Sequence, residues 1–268
     1  MPKMNNVFSP VRFAGLVKKM IRENWRELAM SLVMLEGLLL IMMILITAGM
    51  SPREEDSLDL SAAMLEGGKV TFTIFGCIAG SMMFGGMASP RQRLPVLMTP
   101  ASALEKYAAR WVIYVVGYVV SFALLFVAAD VLNYVIFSVL PHSDNFVVLL
   151  LGTLRCGCLD NFHWGMYGCV YLIFTSLFAL GSVLWPKRAL LKTFFALAVI
   201  LAAYWSIAYW GMSIAPQSYT SGGYIIENVE VTASVVNRFA FAVGIVSAMI
   251  FYVLTYYRFK ESEIIDRW

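Results

Sequence analysis

The sequence predicts an all-α integral membrane protein. It should have six transmembrane helices preceded by an amphipathic interfacial helix, with both termini in the cytoplasm. Three observations carry this. Six apolar stretches, at about 29–48, 70–89, 112–139, 165–184, 193–213 and 239–257, each reach or exceed the ~20 residues a helix needs to cross a ~30 Å hydrocarbon layer. The composition is 60% hydrophobic and only 14% charged, whereas soluble domains carry about 25% charged residues. Finally, the basic residues crowd into alternate gaps. All but four of the 20 lysines and arginines lie in the head (Lys3, Arg12, Lys18, Lys19, Arg22, Arg26), the second gap (Arg91, Arg93, Lys106, Arg110), the fourth gap (Lys187, Arg188, Lys192) or the tail (Arg258, Lys260, Arg267). The excess of positive charge marks the cytoplasmic side, and an even number of spans brings both ends there.

Residues 1–28 form the lead-in, 29–257 the membrane domain and 258–268 a cytoplasmic tail. Over 8–28, Phe13, Leu16, Val17, Met20, Ile21 and Leu28 share one side of a helix and Arg12, Lys18, Lys19, Arg22 and Arg26 the other. Such a helix beside a span reads as lying in the membrane interface; a cytoplasmic extension of the first span is the alternative. Loop 49–69, with Ser51, Pro52, Arg53, Glu54, Glu55 and Asp56, reads as a solvated external loop. The second span carries Gly76 and Gly80 in a GxxxG pattern. This allows close backbone approach, either within the bundle or across a dimer.

Segment 90–111 reads as the most distinctive in the chain. Pro90, Pro95 and Pro100 restrict it, and Ser102-Ala-Leu-Glu105 fits a capping box, in which the serine caps the helix start and the glutamate reaches back to its amide. A new helix should therefore start here and run into the third span. Asp130, Asn133 and Glu36 are the main polar exceptions in the spans and become the candidate substrate pathway, since intramembrane ionisable groups are costly. At 1.5 Å per residue, Asp130 falls near the outer surface, as a vestibule residue or a proton relay. Glu36 falls within the cytoplasmic third, facing the bundle interior, another subunit or water.

Common catalytic signatures are missing. Gly67-Gly68-Lys69 lacks the spacing of a phosphate-binding loop, and neither HExxH nor GxSxG occurs. His142 and His163 are unpaired. Cys156 and Cys158, near Asp160, match no common zinc spacing, so no metal site is expected. The net charge of +3 follows topology, and no nucleic-acid partner is expected. Basic residues at the membrane surface point instead to membrane lipids as a partner.

A basic amphipathic lead-in, six spans, both ends inside, a shaped loop after the second span and no nucleotide motif occur together. In this the chain resembles the membrane subunit of an ABC transporter of the type-2 export permease family, a small bacterial member. The segment Leu97-Met-Thr-Pro-Ala-Ser-Ala-Leu-Glu-Lys-Tyr-Ala-Ala-Arg-Trp111 is similar to the loop of small permeases in which Pro-Ala-Ser-x-x-Glu-Lys follows span two. The resemblance covers nearly the whole chain. It implies a transport subunit without its own nucleotide site, in a bacterial cytoplasmic (inner) membrane. It implies a separate ABC ATPase subunit, which holds ATP and Mg, and a second permease subunit in a homo- or heterodimer. It also implies an ATPase-coupling loop at Thr99, Pro100, Ser102, Leu104, Glu105, Lys106 and Tyr107. Few polar residues line the spans, so an amphipathic or lipidic substrate (peptide, antibiotic or lipid) is expected. The alternative is a non-transporting anchor, scaffold or sensor of a membrane complex.

Overall fold

The computed structural model describes residues 8–49, 57–85, 99, 101–139, 161–185, 187–214 and 229–265. Its elements are helices α1 (Pro10–Glu23), α2 (Trp25–Gly49), α3 (Ser57–Met82), α4 (Ala103–Trp111), a π-helical segment (Val112–Val116), α5 (Gly117–Val139), α6 (Asn161–Leu184), α7 (Ala189–Ile214) and α8 (Val229–Ile265). No strand occurs among the described residues. Five helical stretches are long and apolar enough to cross a membrane: Trp25–Gly49, Leu60–Met82, Ala103–Val139, Gly165–Leu184 and Phe241–Glu261. The crossing expected at 193–213 falls in α7, of which Ala189–Ala203 is a shorter apolar helix among the described residues.

The lead-in is not one helix over 8–28. Ser9 caps α1 and Pro10 takes a first-turn position, where its fixed φ and missing N–H do no harm. The helix ends at Asn24 (φ −104°, ψ 14°), whose N–H donates to Met20 O at 3.1 Å. Asn24 O then accepts the Leu28 amide at 3.0 Å, so α2 starts one residue after α1 stops. The apolar side of α1 packs inward at Leu16, while Lys18, Lys19 and Arg22 are exposed.

The polar loop expected over 49–69 is helical from Ser57 onward. Leu60, Ser61, Met64, Leu65 and Gly68 are buried, a spacing of three and four that fits one helix face. Glu66 among them, and the charged residues on either side of the stretch, masked that stripe in the sequence. Likewise α8 begins at Val229, ahead of the apolar run expected from 239.

α6 is the central helix. It packs on α3, α7 and α8, while α3 also touches α2 and α5. Its apolar window is 44% buried against 17% for α2 and α8, so it faces protein where they face lipid. Gly76 and Gly80 lie against α6. A methyl group on Gly80 would sit 2.8 Å from Thr175 O, and one on Gly76 2.7 Å from the Tyr171 ring. In lipid, where apolar burial does not drive helices together, such close approach supplies the packing contact. The GxxxG pattern thus serves the interior of the bundle.

Two cores result. At the end where α4 joins the bundle, Met83, Phe84, Ala179 and Phe259 pack with Tyr107, Trp111 and Tyr252 around them. Between α2 and α5, Leu35, Leu39, Met43 and Ala129 pack with Phe122 and Phe126. Thr47 of α2 meets Asn133 of α5, near the C-terminal ends of both, so these helices run parallel.

Candidate functional site

Several hydrogen bonds to charged side chains converge at the N-terminus of α4. The capping box forms as its spacing predicts. Ser102 Oγ accepts the Glu105 amide at 3.2 Å, and the Ser102 amide donates to Glu105 Oε2 at 3.0 Å. The other carboxylate oxygen does something local spacing does not show. Glu105 Oε1 accepts the Ser9 amide at 2.7 Å and Arg12 Nη2 at 3.4 Å. Glu105 is fully buried. A single carboxylate therefore caps α4 and holds the first turn of α1. A second tie runs from Lys19 Nζ to Thr99 Oγ1 at 3.4 Å.

The continuous helix from Ala103 to Val139 has 37 residues, about 55 Å at 1.5 Å per residue, against the ~30 Å of a hydrocarbon core. Its charged first turns, with Glu105, Lys106 and Arg110, thus extend beyond the span. Burial alone would push the Glu105 carboxyl up. The amides of Ser102 and Ser9, the Arg12 guanidinium and the Ser102 hydroxyl outweigh it and hold the group below its usual value.

The rest of α4 is braced against the bundle. The Tyr107 hydroxyl donates to Tyr252 O at 2.9 Å, and the Tyr252 hydroxyl lies 2.9 Å from Thr175 Oγ1. The route runs from α4 through α8 to α6, at the point where Gly80 meets Thr175. The Arg110 guanidinium lies over the rings of Phe84 (5.1 Å) and Phe259 (5.5 Å). Lys106 and Arg110 are 5% and 6% exposed. Their charges had been assigned to topology, yet their stems and heads pack inside. Leu104, at 41%, is the large apolar side chain that α4 turns outward. Pro100 lies outside the described residues.

Next to α4 comes a feature the sequence did not signal. Val112–Val116 is π-helical, with the Gly117 amide donating to Val112 O. The wider turn presents Val115 O, which accepts the Tyr171 hydroxyl at 3.1 Å. Tyr118 donates in turn to Phe72 O at 2.8 Å. The Phe72, Tyr118 and Tyr171 rings stack at 4.6–6.0 Å. Single π turns cluster at functional sites and allow a helix to change register.

The three polar residues expected along a pathway do not form one group. Asn133 is fully buried and Asp130 is 2% exposed: Ala129, Asp130 and Asn133 are the covered positions of α5. Asn133 Nδ2 donates to Thr47 Oγ1 at 3.1 Å, and the Thr47 hydroxyl donates to Met43 O at 2.8 Å. Asn133 Oδ1 is covered and accepts no hydrogen bond among the described residues. Since α2 and α5 run parallel with Thr47 beside Asn133, Glu36 lies about 12 Å along the pair from Asp130. Glu36 is partly exposed, with Oε2 covered and lacking a partner among the described residues.

No cluster of three metal-ligating side chains occurs among the described residues. Cys156, Cys158 and Asp160 lie outside them. No protein-family model matches the chain, and neither a curated protein nor a solved structure matches it.

Proposed function

We propose that this chain is the six-span membrane subunit of an ATP-driven exporter of the type-2 permease kind. It sits in a bacterial cytoplasmic membrane with both termini inside and works as a dimer with a second permease subunit. A separate ABC ATPase grips the α4 end, hydrolyses ATP with Mg, and drives an amphipathic or lipidic substrate across the membrane. The observation that carries this reading is the buried Glu105 carboxylate, which fastens α1 to α4. With Tyr107 bound to α8, a push on α4 moves the interfacial helix and the bundle together. Leu104 and Thr99 form the outward contact. The π segment directly behind α4 is the place where a displaced α4 changes register relative to α5.

The polar side chains buried in the bundle are mostly serines and threonines that donate to carbonyls of their own helix, which favours an amphipathic cargo over a small hydrophilic ion. A tagged full-length chain purified from its native membrane should retain a protein with a nucleotide-binding phosphate loop. Retention of none under conditions that preserve other membrane complexes would overturn the exporter reading and leave an anchor or scaffold.

A further inference from the structure

Between α1, α2, α3 and the π segment lies a cavity of about 580 Å³. Val17 and Ile21 of α1, Ala29 of α2, Ala79 and Met82 of α3 and Val116 of the π segment are among the residues that line it. Most of its lining is aliphatic or aromatic, and two of its hydroxyls are committed: Ser31 donates to Leu28 O at 2.8 Å and Tyr118 to Phe72 O at 2.8 Å. The groove therefore offers a ligand apolar surface. Its rim is different. Lys18 and Arg22, one turn apart on α1 beside Val17 and Ile21, are exposed and form no ion pair among the described residues. Arg26 stands 5.8 Å over the ring of Trp25, an amphipathic residue typical of the membrane–water boundary. The only acid of α1, Glu23, is held by Lys19 at 3.7 Å.

We propose that this groove binds one acyl chain of an anionic membrane phospholipid, with the lipid phosphate between Lys18 and Arg22. Depth supports this occupant. Ala29, Ser31, Leu32 and Leu35 line the groove in the first turns of a membrane-crossing helix, where the upper part of an acyl chain lies. Charge supports it as well. A second copy meeting this face across a two-fold axis would bring like cations together, whereas an anionic headgroup neutralises them. The proposal rests on α1 lying at the membrane surface, which is part of the reading above, but not on the ATPase. Loss of the lipid site would leave ATPase retention untouched, and failed ATPase retention would leave the lipid site standing.

The test places the full chain in phosphatidylcholine vesicles doped with phosphatidylglycerol carrying a photoactivatable acyl chain, and maps labelled residues by mass spectrometry. Labelling should concentrate on Ile21, Ala79 and Val116 over the lipid-facing Phe194 and Phe195 of α7. Unlabelled phosphatidylglycerol should compete and phosphatidylcholine should not. Ala79→Trp, which fills the groove, should abolish that concentration. A Lys18→Gln, Arg22→Gln double variant, at exposed positions that leave folding intact, should lower the preference for the anionic lipid by about tenfold. Even labelling of groove and α7, cross-links from the groove to a second copy, or an unchanged preference in the charge variant would overturn the proposal.

Discussion

Two polar regions of the molecule are built on opposite plans. At the α1–α4 junction, a buried carboxylate receives two backbone amides and a guanidinium, and both of its oxygens are occupied. Between α2 and α5, Asn133 makes one side-chain bond among the described residues and leaves Oδ1 without a donor there, and Glu36 Oε2 is likewise unfilled among them. In the first region both carboxylate oxygens are filled, which holds one geometry, although Arg12 Nε is covered without a partner among the described residues; in the second the open oxygens leave capacity for another partner. The first region is suited to transmitting displacement. The second is suited to accepting something that is not a fixed part of the chain.

The comparison is broken most directly at Glu105. Glu105→Ala strips the partners from two amides and a guanidinium. Hydrogen bonds to a charged group contribute about 1.5–3 kcal/mol each, so a local loss of roughly 3 kcal/mol is expected. Hydrogen exchange of the α1 amides should accelerate by about 100-fold, while the α6 amides keep their protection. Glu105→Gln keeps one acceptor oxygen and should fall between the two. The pH dependence separates charge from shape. The bound carboxyl is held below its ordinary value, so its contribution is complete above the usual ~4.3 and disappears as pH falls through the lowered value. Release of α1 on acidification should therefore appear only below about pH 4 and be absent in Glu105→Gln. An α1 that exchanges at the same rate in all three proteins would erase the distinction between the regions.

A smaller effect is expected from the close approach that anchors the braced route. Gly80→Val drives a branched side chain against Thr175 O. Overpacking of this kind costs about 1–3 kcal/mol. The midpoint of thermal unfolding in detergent should drop, and Gly76→Ala, which meets the Tyr171 ring rather than backbone, should drop it less. Equal midpoints for Gly80→Val and wild type would mean that α3 and α6 do not meet at this register. The smallest effect belongs to the open region. Asn133→Ala removes one bond to Thr47, and such bonds between membrane helices average about 0.6 kcal/mol. Unfolding should barely shift; a loss as large as that of Glu105→Ala would show the α2–α5 layer to be a structural clasp as well.

What the sequence disclosed follows from distance along the chain. The capping box was legible because Ser102 and Glu105 are three residues apart and obey a local rule. The bond from Glu105 to Ser9 spans 96 positions and has no local signature, so a residue read as a cap is also a fastener. The GxxxG of α3 was visible, but its partner on α6 was not, because small residues mark a close approach without naming what approaches. Lys106 and Arg110 read as topology charges because composition cannot show that the rings of Phe84, just past α3, and of Phe259 in α8 close over the Arg110 guanidinium. Asp130 was placed by rise per residue, which gives depth but not the side of the helix. The early start of α3 was hidden by Asp59 before its buried positions and Glu66 among them. The π turn had no signal beyond a run of β-branched residues before Gly117.

The central claim is that displacement enters at α4 and is shared with α1 through Glu105. The most direct measurement compares substrate-stimulated ATP hydrolysis and export by the reconstituted complex, for wild type and Glu105→Ala at equal membrane abundance. The account predicts that the variant still retains its ATPase through Leu104 and Thr99 and still hydrolyses ATP, while export and its stimulation of hydrolysis are lost. Export at the wild-type rate in a variant whose α1 is demonstrably released would contradict it.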